Sequence, residues 1–188
     1  MLQWYTKANL LLKESGVRAA WFPRMVQASN CELRDSTDLL LARTDATRVP
    51  FIILSAGIGD LIKEILVHHN LLKDNIRIVS NFLGFDSSTG LVTGLRTSPI
   101  HMFNKRAPSQ EGLEGRKNII LIGDSLGDVR MADGIQDPNI ILSIGFLNKN
   151  VAGNLEEYKR RFDVVLVDDQ TMDFPMAVLE DILAGQAE

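Results

Sequence analysis

The sequence has 188 residues, of which 45% are hydrophobic and 23% are charged, and this composition is typical of a globular domain with its own core. A net charge of −4 without a basic run argues against partners such as nucleic acid polymers or membrane surfaces. No apolar stretch is long enough to span a bilayer, and the single cysteine, Cys31, excludes an internal disulfide, so we expect a cytoplasmic protein.

The chain divides into two zones by its predicted secondary structure. Residues 1 to about 47 have helical patterns and no strand-like run, whereas strands and helices alternate from Val49 onward. Within the second zone, residues 82–103 are predicted to form a β-hairpin. The predicted strands lie at 49–55, 76–80, 118–123, 139–146 and 162–168, and the predicted helices at 58–72, 126–133, 149–161 and 174–184. Because the strands are apolar on both faces, this alternation predicts an α/β fold with a parallel sheet covered on both sides by helices.

Two early segments carry candidate binding residues. Trp4 and Tyr5 are adjacent aromatic residues on the first predicted helix, where they either pack in the core or offer a platform on which a nucleobase stacks. Ser55 ends the first predicted strand and is followed by Ala56 and Gly57. These small residues leave room for a phosphate, which the hydroxyl and the free amides of the next helix turn would bind. The alternative is that Ser55 caps that helix.

A lysine and two aspartates follow further along the chain. Lys105 lies between the hairpin and the next strand, where it either neutralises phosphate charge or is a solvated surface lysine. The strand at 118–123 ends directly before Asp124, and Asp128 follows across a tight turn. Open α/β sheets bind ligands at their carboxyl edge, and two carboxylates four residues apart suit a hard ion such as Mg²⁺. The alternative is that Asp124 and Ser125 cap the following helix, which leaves Asp128 unexplained.

The order of these motifs resembles that of the haloacid dehalogenase superfamily, in which a strand followed by Ser precedes a Lys and then a strand followed by Gly-Asp-x-x-x-Asp. Five segments together are similar to the cytosolic 5′-nucleotidase III, or pyrimidine 5′-nucleotidase, family. They are Phe51-Ile-Ile-Leu-Ser-Ala-Gly-Ile-Gly-Asp60, Ile78-Val-Ser-Asn-Phe82, Ile100-His-Met-Phe-Asn-Lys105, Ile122-Gly-Asp-Ser-Leu-Gly-Asp-Val-Arg-Met-Ala-Asp-Gly134 and Ile144-Gly-Phe-Leu-Asn148. Trp4-Tyr5-Thr6-Lys7 resembles the cap helix of that family.

This resemblance implies a fold and an activity. The implied fold is a Rossmann-like parallel sheet of the haloacid dehalogenase type over residues 48–188, with the hairpin at about 82–103, and a partial helical cap over residues 1–47. The implied activity is Mg²⁺-dependent hydrolysis of pyrimidine nucleoside 5′-monophosphates, similar to CMP or UMP. Tyr5 matches the aromatic residue that stacks on the base, where the family has tyrosine for pyrimidines and tryptophan for 7-methylguanosine.

The resemblance also implies the roles of the other candidate residues. Ser55 and the amide of Ala56 would hold the transferring phosphoryl group, and Lys105 would pair with that group. Asp124 would bind Mg²⁺, and Asp128 would support the metal through water. These positions match the family motifs one by one.

The sequence departs from the family at its first motif. Family members carry Asp-x-Asp-x-Thr, whose first Asp is the nucleophile and whose second is the general acid and base, but no Asp-x-Asp followed by Thr occurs here. We therefore expect the chain to begin inside the cap, without the first core strand, and to be of reduced stability and inactive or weakly active as written. The alternative function is that of a non-catalytic truncated homologue that binds a nucleotide or a protein partner.

Overall fold

The computed structural model describes residues 2–102, 104–106, 113 and 115–185, and for residues 2–6 it describes the backbone alone. The α-helices are α1 (Leu2–Glu14), α2 (Phe22–Ala28), α3 (Thr37–Ala46), α4 (Gly59–His68), α5 (Val151–Arg161) and α6 (Asp173–Ala184). The strands are β1 (Phe51–Ile58), β2 (Ile76–Asn81), β3 (Leu83–Phe85), β4 (Val92–Leu95), β5 (Asn118–Gly123), β6 (Ile140–Leu147) and β7 (Val164–Val167). Two 3₁₀ helices cover Ala19–Trp21 and Asp128–Gly134. Among the described residues, no helix has the length and apolarity needed to cross a bilayer.

The first of two compact units comprises Met1–Glu32 and Ile52–Asn104. It contains a sheet of β1 and β2 and the predicted hairpin, in which β3 pairs antiparallel with β4. The core of this unit lies where the hairpin meets α2, because Leu83 is fully buried against Phe22. The ring of Phe22 also meets that of Phe85 edge-on, with 5.9 Å between the centroids.

The second unit comprises Leu33–Phe51 and Lys105–Glu188 and is built on a parallel sheet of three strands in the order β5-β6-β7. Gly145 of β6 lies in register with the last residue of β5. A Cβ at Gly145 would lie 2.5 Å from the ring of Phe162, so only glycine lets that ring pack against the sheet. The buried core of the unit consists of Leu121, Ala132, Leu147, Tyr158 and Phe162.

The structure confirms the α/β class and the helical character of the first 47 residues. Two local predictions were wrong in detail. The first strand continues for three residues beyond Ser55 and ends at Ile58, and the helix after Asp124 is a 3₁₀ helix that begins only at Asp128. The predicted boundary between cap and core near residue 47 stays a prediction.

Candidate functional site

Asp128 organises the loop that follows β5. Its side chain is buried, and one carboxylate oxygen, Oδ2, accepts hydrogen bonds from the backbone N–H groups of Asp124 and Ser125, both at 3.1 Å. Gly123 makes this arrangement possible, because a Cβ at that position would lie 2.5 Å from the Asp128 Cβ and 2.7 Å from Oδ2. The Gly-Asp-x-x-x-Asp spacing therefore folds the loop back onto its own second aspartate.

Lys105 is paired with the other oxygen of the same carboxylate. The Lys105 Nζ lies 2.8 Å from Asp128 Oδ1, and the two side chains are only 17% and 5% exposed. The buried carboxylate thus accepts hydrogen bonds from two backbone N–H groups and one ammonium, which balance its charge and occupy its lone pairs. An ammonium has three N–H donors, and the contact with Asp128 uses one of them. Lys105 is therefore a partly buried cation paired with Asp128, and the alternative of a solvated surface lysine was wrong.

Asp124 is held by its backbone and presents its side chain to solvent. Its N–H donates to Asp128, and its carbonyl oxygen accepts a hydrogen bond of 2.7 Å from the hydroxyl of Tyr158. The side chain itself is exposed, in contrast to that of Asp128. The peptide groups on either side of the Asp124 Cα are thus fixed by two side chains, while its carboxylate is left accessible for a ligand.

Tyr158 was not identified from the sequence. It lies on α5 within an amphipathic pattern that predicts only core packing, and its ring stacks on Phe162 with 5.5 Å between centroids. Burial raises the pKa of its hydroxyl, and the negative charges of Asp124 and Asp128 raise it further. The hydroxyl therefore remains a neutral donor to the Asp124 carbonyl across the physiological pH range.

The capping alternatives for both serines were wrong. The 3₁₀ helix after the loop begins at Asp128. Gly127 occupies its N-cap position, and no side chain caps the helix. The Ser125 hydroxyl instead accepts a 3.2 Å hydrogen bond from the N–H of Gly127 within the loop. Similarly, Ile58 occupies the N-cap position of α4, and no side chain caps that helix. The Ser55 hydroxyl instead accepts a hydrogen bond of 3.1 Å from the N–H of Gly57.

Ser55 and Ala56 lie on β1 in the first unit, and a second residue that sequence reasoning missed holds that strand. Asn81, at the end of β2, is 4% exposed and donates through Nδ2 to the carbonyl oxygen of Ala56 at 2.8 Å. The same amide donates to the carbonyl of Ile100 and its Oδ1 accepts from the N–H of Ile100, at 2.9 and 2.7 Å. Asn81 therefore ties the segment with the candidate phosphate site to the segment that leads to Lys105.

The acidic residues of the second unit offer a partial ligand set for a divalent cation. No cluster of three or more His, Cys, Asp or Glu residues suited to a metal occurs among the described residues. Of the two carboxylates at this loop, Asp128 is already engaged by three donors and Asp124 is exposed. Mg²⁺ keeps several waters and is bound by one or two carboxylates together with substrate phosphate, so one accessible carboxylate fits such an ion.

The remaining predicted residue, Tyr5, lies on α1. Its side chain and that of Trp4 lie outside the described part of the chain, so the stacking role of Tyr5 stays a prediction. The roles predicted for Ser55 and Ala56 in phosphate binding stay predictions as well. Lys105, Asp124 and Asp128 are the candidates that the structure brings together.

Comparison with known proteins gives one family and one fold. The family described as pyrimidine 5′-nucleotidase (UMPH-1) matches residues 1–183. A human protein named 7-methylguanosine phosphate-specific 5′-nucleotidase is 37% identical over 97% of this chain and 63% of its own length. Its Drosophila melanogaster counterpart is 35% identical over 95% of this chain and 58% of its own length. A Caenorhabditis elegans protein named putative cytosolic 5′-nucleotidase 3 is 26% identical over 97% of this chain and 51% of its own length.

A solved structure agrees with the sequence matches. The crystal structure of cytosolic 5′-nucleotidase IIIB bound to cytidine superimposes with a TM-score of 0.89 and 33% identity, covering 100% of this chain and 66% of the other. The chain thus spans between half and two thirds of the length of the relatives described here. These matches confirm the resemblance and the haloacid dehalogenase type of fold that the motifs predicted.

Proposed function

The chain belongs to the pyrimidine 5′-nucleotidase (UMPH-1) family, and we propose that it supplies the metal- and phosphate-binding residues of a Mg²⁺-dependent enzyme that hydrolyses nucleoside 5′-monophosphates to nucleoside and phosphate. The observation that carries this proposal is the pair of Lys105 and Asp128 beside the exposed Asp124, at the carboxyl end of β5. Ligands of open α/β sheets bind at that edge. The names of the relatives, all of which are 5′-nucleotidases, support the same reaction.

Asp124 is the residue that would hold the metal. Its carboxylate is accessible, and its backbone is fixed from both sides by Asp128 and Tyr158. Asp128 supports the metal indirectly, through the loop that it holds and through water. When bound, Mg²⁺ would offset the negative charge that develops on the phosphoryl oxygens. The test is Mg²⁺ or Mn²⁺ binding by the wild-type chain and by Asp124→Asn, which we expect to bind at least tenfold more weakly.

Ser55, Ala56 and Lys105 are the residues that we propose for binding the phosphoryl group. The hydroxyl of Ser55 and the N–H of Ala56 would donate to its oxygens, and the ammonium of Lys105 would neutralise part of its charge. We expect Ser55→Ala and Lys105→Met to weaken the binding of inorganic phosphate, measured at a temperature where each variant is folded, because Lys105→Met also removes the counterion of the buried Asp128. Far-ultraviolet circular dichroism provides the control for folding.

The base would stack on Tyr5, and we propose a preference for pyrimidine nucleotides such as CMP and UMP. The cytidine bound to cytosolic 5′-nucleotidase IIIB supports this preference. The human and fly relatives are instead named for 7-methylguanosine phosphate, which makes that nucleotide the competing substrate. Parallel titrations with CMP and 7-methylguanosine monophosphate decide between the two, and tighter binding of the methylated purine would overturn the pyrimidine preference.

The 188-residue chain by itself is proposed to have little or no hydrolytic activity. Covalent phosphoryl transfer needs a nucleophile, and the sequence contains no Asp-x-Asp followed by Thr. The second candidate function, that of a non-catalytic homologue that binds a nucleotide or a protein, rests on this observation. Saturable, Mg²⁺-dependent CMP binding without release of phosphate would support it. CMP hydrolysis that disappears in Asp124→Asn would show that the chain as written is an active enzyme.

The endogenous protein offers a direct way to separate these two functions. An intact mass well above 20.9 kDa, together with a peptide containing Asp-x-Asp-x-Thr, would make this chain part of a complete nucleotidase. A mass equal to that of the chain would favour the binding function. We propose a cytoplasmic location in either case, in keeping with the cytosolic names of two relatives, and a nucleoside 5′-monophosphate as the partner, with no membrane or nucleic acid polymer.

A further inference from the structure

We infer that Tyr158 is a positioning residue for the metal site, because its hydroxyl holds the peptide group that follows the Cα from which the Asp124 carboxylate projects. This inference rests on the proposed role of Asp124 and extends it to a residue 34 positions further along the chain. Tyr158 does not itself touch metal or substrate in this proposal. It acts through the backbone of Asp124.

The geometry of the loop leads to this role. Asp128 accepts from the N–H of Asp124, in the peptide group before the Asp124 Cα, and from the N–H of Ser125, in the peptide group after it. The second of these peptide groups also contains the Asp124 carbonyl, which accepts a hydrogen bond of 2.7 Å from the Tyr158 hydroxyl. The direction of the Asp124 side chain is set by the two peptide planes that flank its Cα. Without the Tyr158 hydroxyl, the peptide plane after the Asp124 Cα is held only through the Ser125 N–H, and it can then tilt about that single hydrogen bond.

The ring of Tyr158 is built to deliver that hydroxyl. It is 7% exposed within the core cluster of the second unit and stacks on Phe162 with planes 28° apart. Its body is thus fixed by apolar packing, which leaves the hydroxyl at the surface of the core facing the loop. Phenylalanine has the same ring and the same rotamers, so Tyr158→Phe deletes the hydrogen bond and keeps the packing. This makes the hydroxyl separable from the ring by a single substitution.

The experiment compares metal binding and loop protection in the purified wild-type chain and in Tyr158→Phe, Ser143→Ala and Asp124→Asn. Mn²⁺ titrations followed by electron paramagnetic resonance report the metal affinity without substrate or turnover. We expect Tyr158→Phe to weaken Mn²⁺ binding about tenfold, the lower end of the range for outer partners of metal ligands. We also expect faster hydrogen exchange of the Asp124 and Ser125 amides in the metal-free protein, because the loop opens more often.

Ser143→Ala is the matched control. The Ser143 hydroxyl is also in the second unit, is buried, and donates a hydrogen bond of 2.6 Å to Asp163, which is not a residue of the Asp124 loop. If Tyr158 mattered only for stability, both substitutions would lower the melting temperature and leave Mn²⁺ affinity unchanged. The proposal requires a loss of Mn²⁺ affinity in Tyr158→Phe that Ser143→Ala does not show.

The outcomes separate this inference from the proposed function. If the wild-type chain binds Mn²⁺ in a manner that depends on Asp124, and Tyr158→Phe binds equally well, Tyr158 has no positioning role and the metal site stands. If the wild-type chain shows no Mn²⁺ binding that depends on Asp124, the proposed metal site fails and this inference fails with it. Weaker binding in Tyr158→Phe alone, with the amides of the loop deprotected, supports both.

Discussion

The buried ion pair makes the sharpest prediction for stability. Asp128→Asn keeps the shape of the side chain but removes its charge, so the ammonium of Lys105 loses its counterion at a site where the two side chains are 17% and 5% exposed. Breaking a buried pair from one side costs about 3–5 kcal/mol. Because Lys105 retains some contact with water, we expect the low end, about 3 kcal/mol of unfolding free energy. In a domain of this size that lowers the melting temperature by about 6–12 °C.

The assay is urea denaturation of the 188-residue chain, followed by circular dichroism. Asp137→Asn is the matched control, because Asp137 pairs with Lys117 at 2.6 Å while both side chains are largely exposed, at 86% and 57%. We expect the control to change the free energy of unfolding by less than about 0.5 kcal/mol. A cost for Asp128→Asn no greater than that of the control would refute the reasoning that burial gives this pair its importance.

Three further outcomes follow from other contacts in the structure. Gly123→Ala forces a Cβ to within 2.5 Å of the Asp128 Cβ, so we expect a loss of about 1–3 kcal/mol in urea denaturation, and unchanged stability would contradict it. Hydrogen bonds from the Ser143 side chain and backbone lower the pKa of Asp163. This contribution to stability is present above the ordinary aspartate pKa of about 4 and is lost at lower pH, and melting curves of Ser143→Ala should show less of this loss on acidification. Asp86 accepts four hydrogen bonds from the next turn, which lower its pKa, so Asp86→Ala should speed amide exchange in that turn while Asp86→Asn changes it less.

The sequence predicted the strands well because their signal is local. Long apolar runs bounded by glycine or aspartate, such as Asn118–Gly123, are read without knowledge of the rest of the chain. The helix after Asp124 was placed two residues too early because of a local side-chain contact. The amides of Asp124 and Ser125 donate to the side chain of Asp128, which folds residues 124–127 into a loop before the helix. A helical pattern of apolar residues does not register such side-chain to backbone hydrogen bonds.

In the candidate site, residues with a local motif could be predicted, and residues whose partners are distant in sequence could not. Lys105, Asp124 and Asp128 could be named as candidates because their order and spacing match a motif, and the structure adds that Asp128 is buried and pairs with Lys105. Tyr158 and Asn81 were missed because each acts on a backbone group far away in sequence, at separations of 34 and 25 residues. A tyrosine on an amphipathic helix and an asparagine at the end of a strand are ordinary residues until the fold shows their partners.

The charges of the site lead to a last prediction, which concerns the coupling between metal binding and nucleotide binding. Asp124 and Asp128 carry two negative charges and Lys105 one positive charge, so these three side chains sum to −1. A nucleotide phosphate near −2 is repelled by such a group, whereas bound Mg²⁺ changes the sum to +1. We therefore expect CMP and Mg²⁺ each to strengthen the binding of the other by the same factor, as linkage requires.

Calorimetric titration of CMP with and without Mg²⁺ measures this coupling. In the wild-type chain we expect CMP to bind at least tenfold more tightly with the metal, which corresponds to about 1.4 kcal/mol. A coupling of that size requires the metal and the phosphate to lie close together in a partly buried site. In Asp124→Asn the three side chains sum to zero, so CMP should bind more tightly than to the wild type without metal and gain little when Mg²⁺ is added. The exposed substitution Asp137→Asn makes the same change in net charge away from the loop and should leave the coupling intact. Equal CMP affinity of the wild-type chain with and without Mg²⁺ would show that Asp124 does not bring metal and phosphate together.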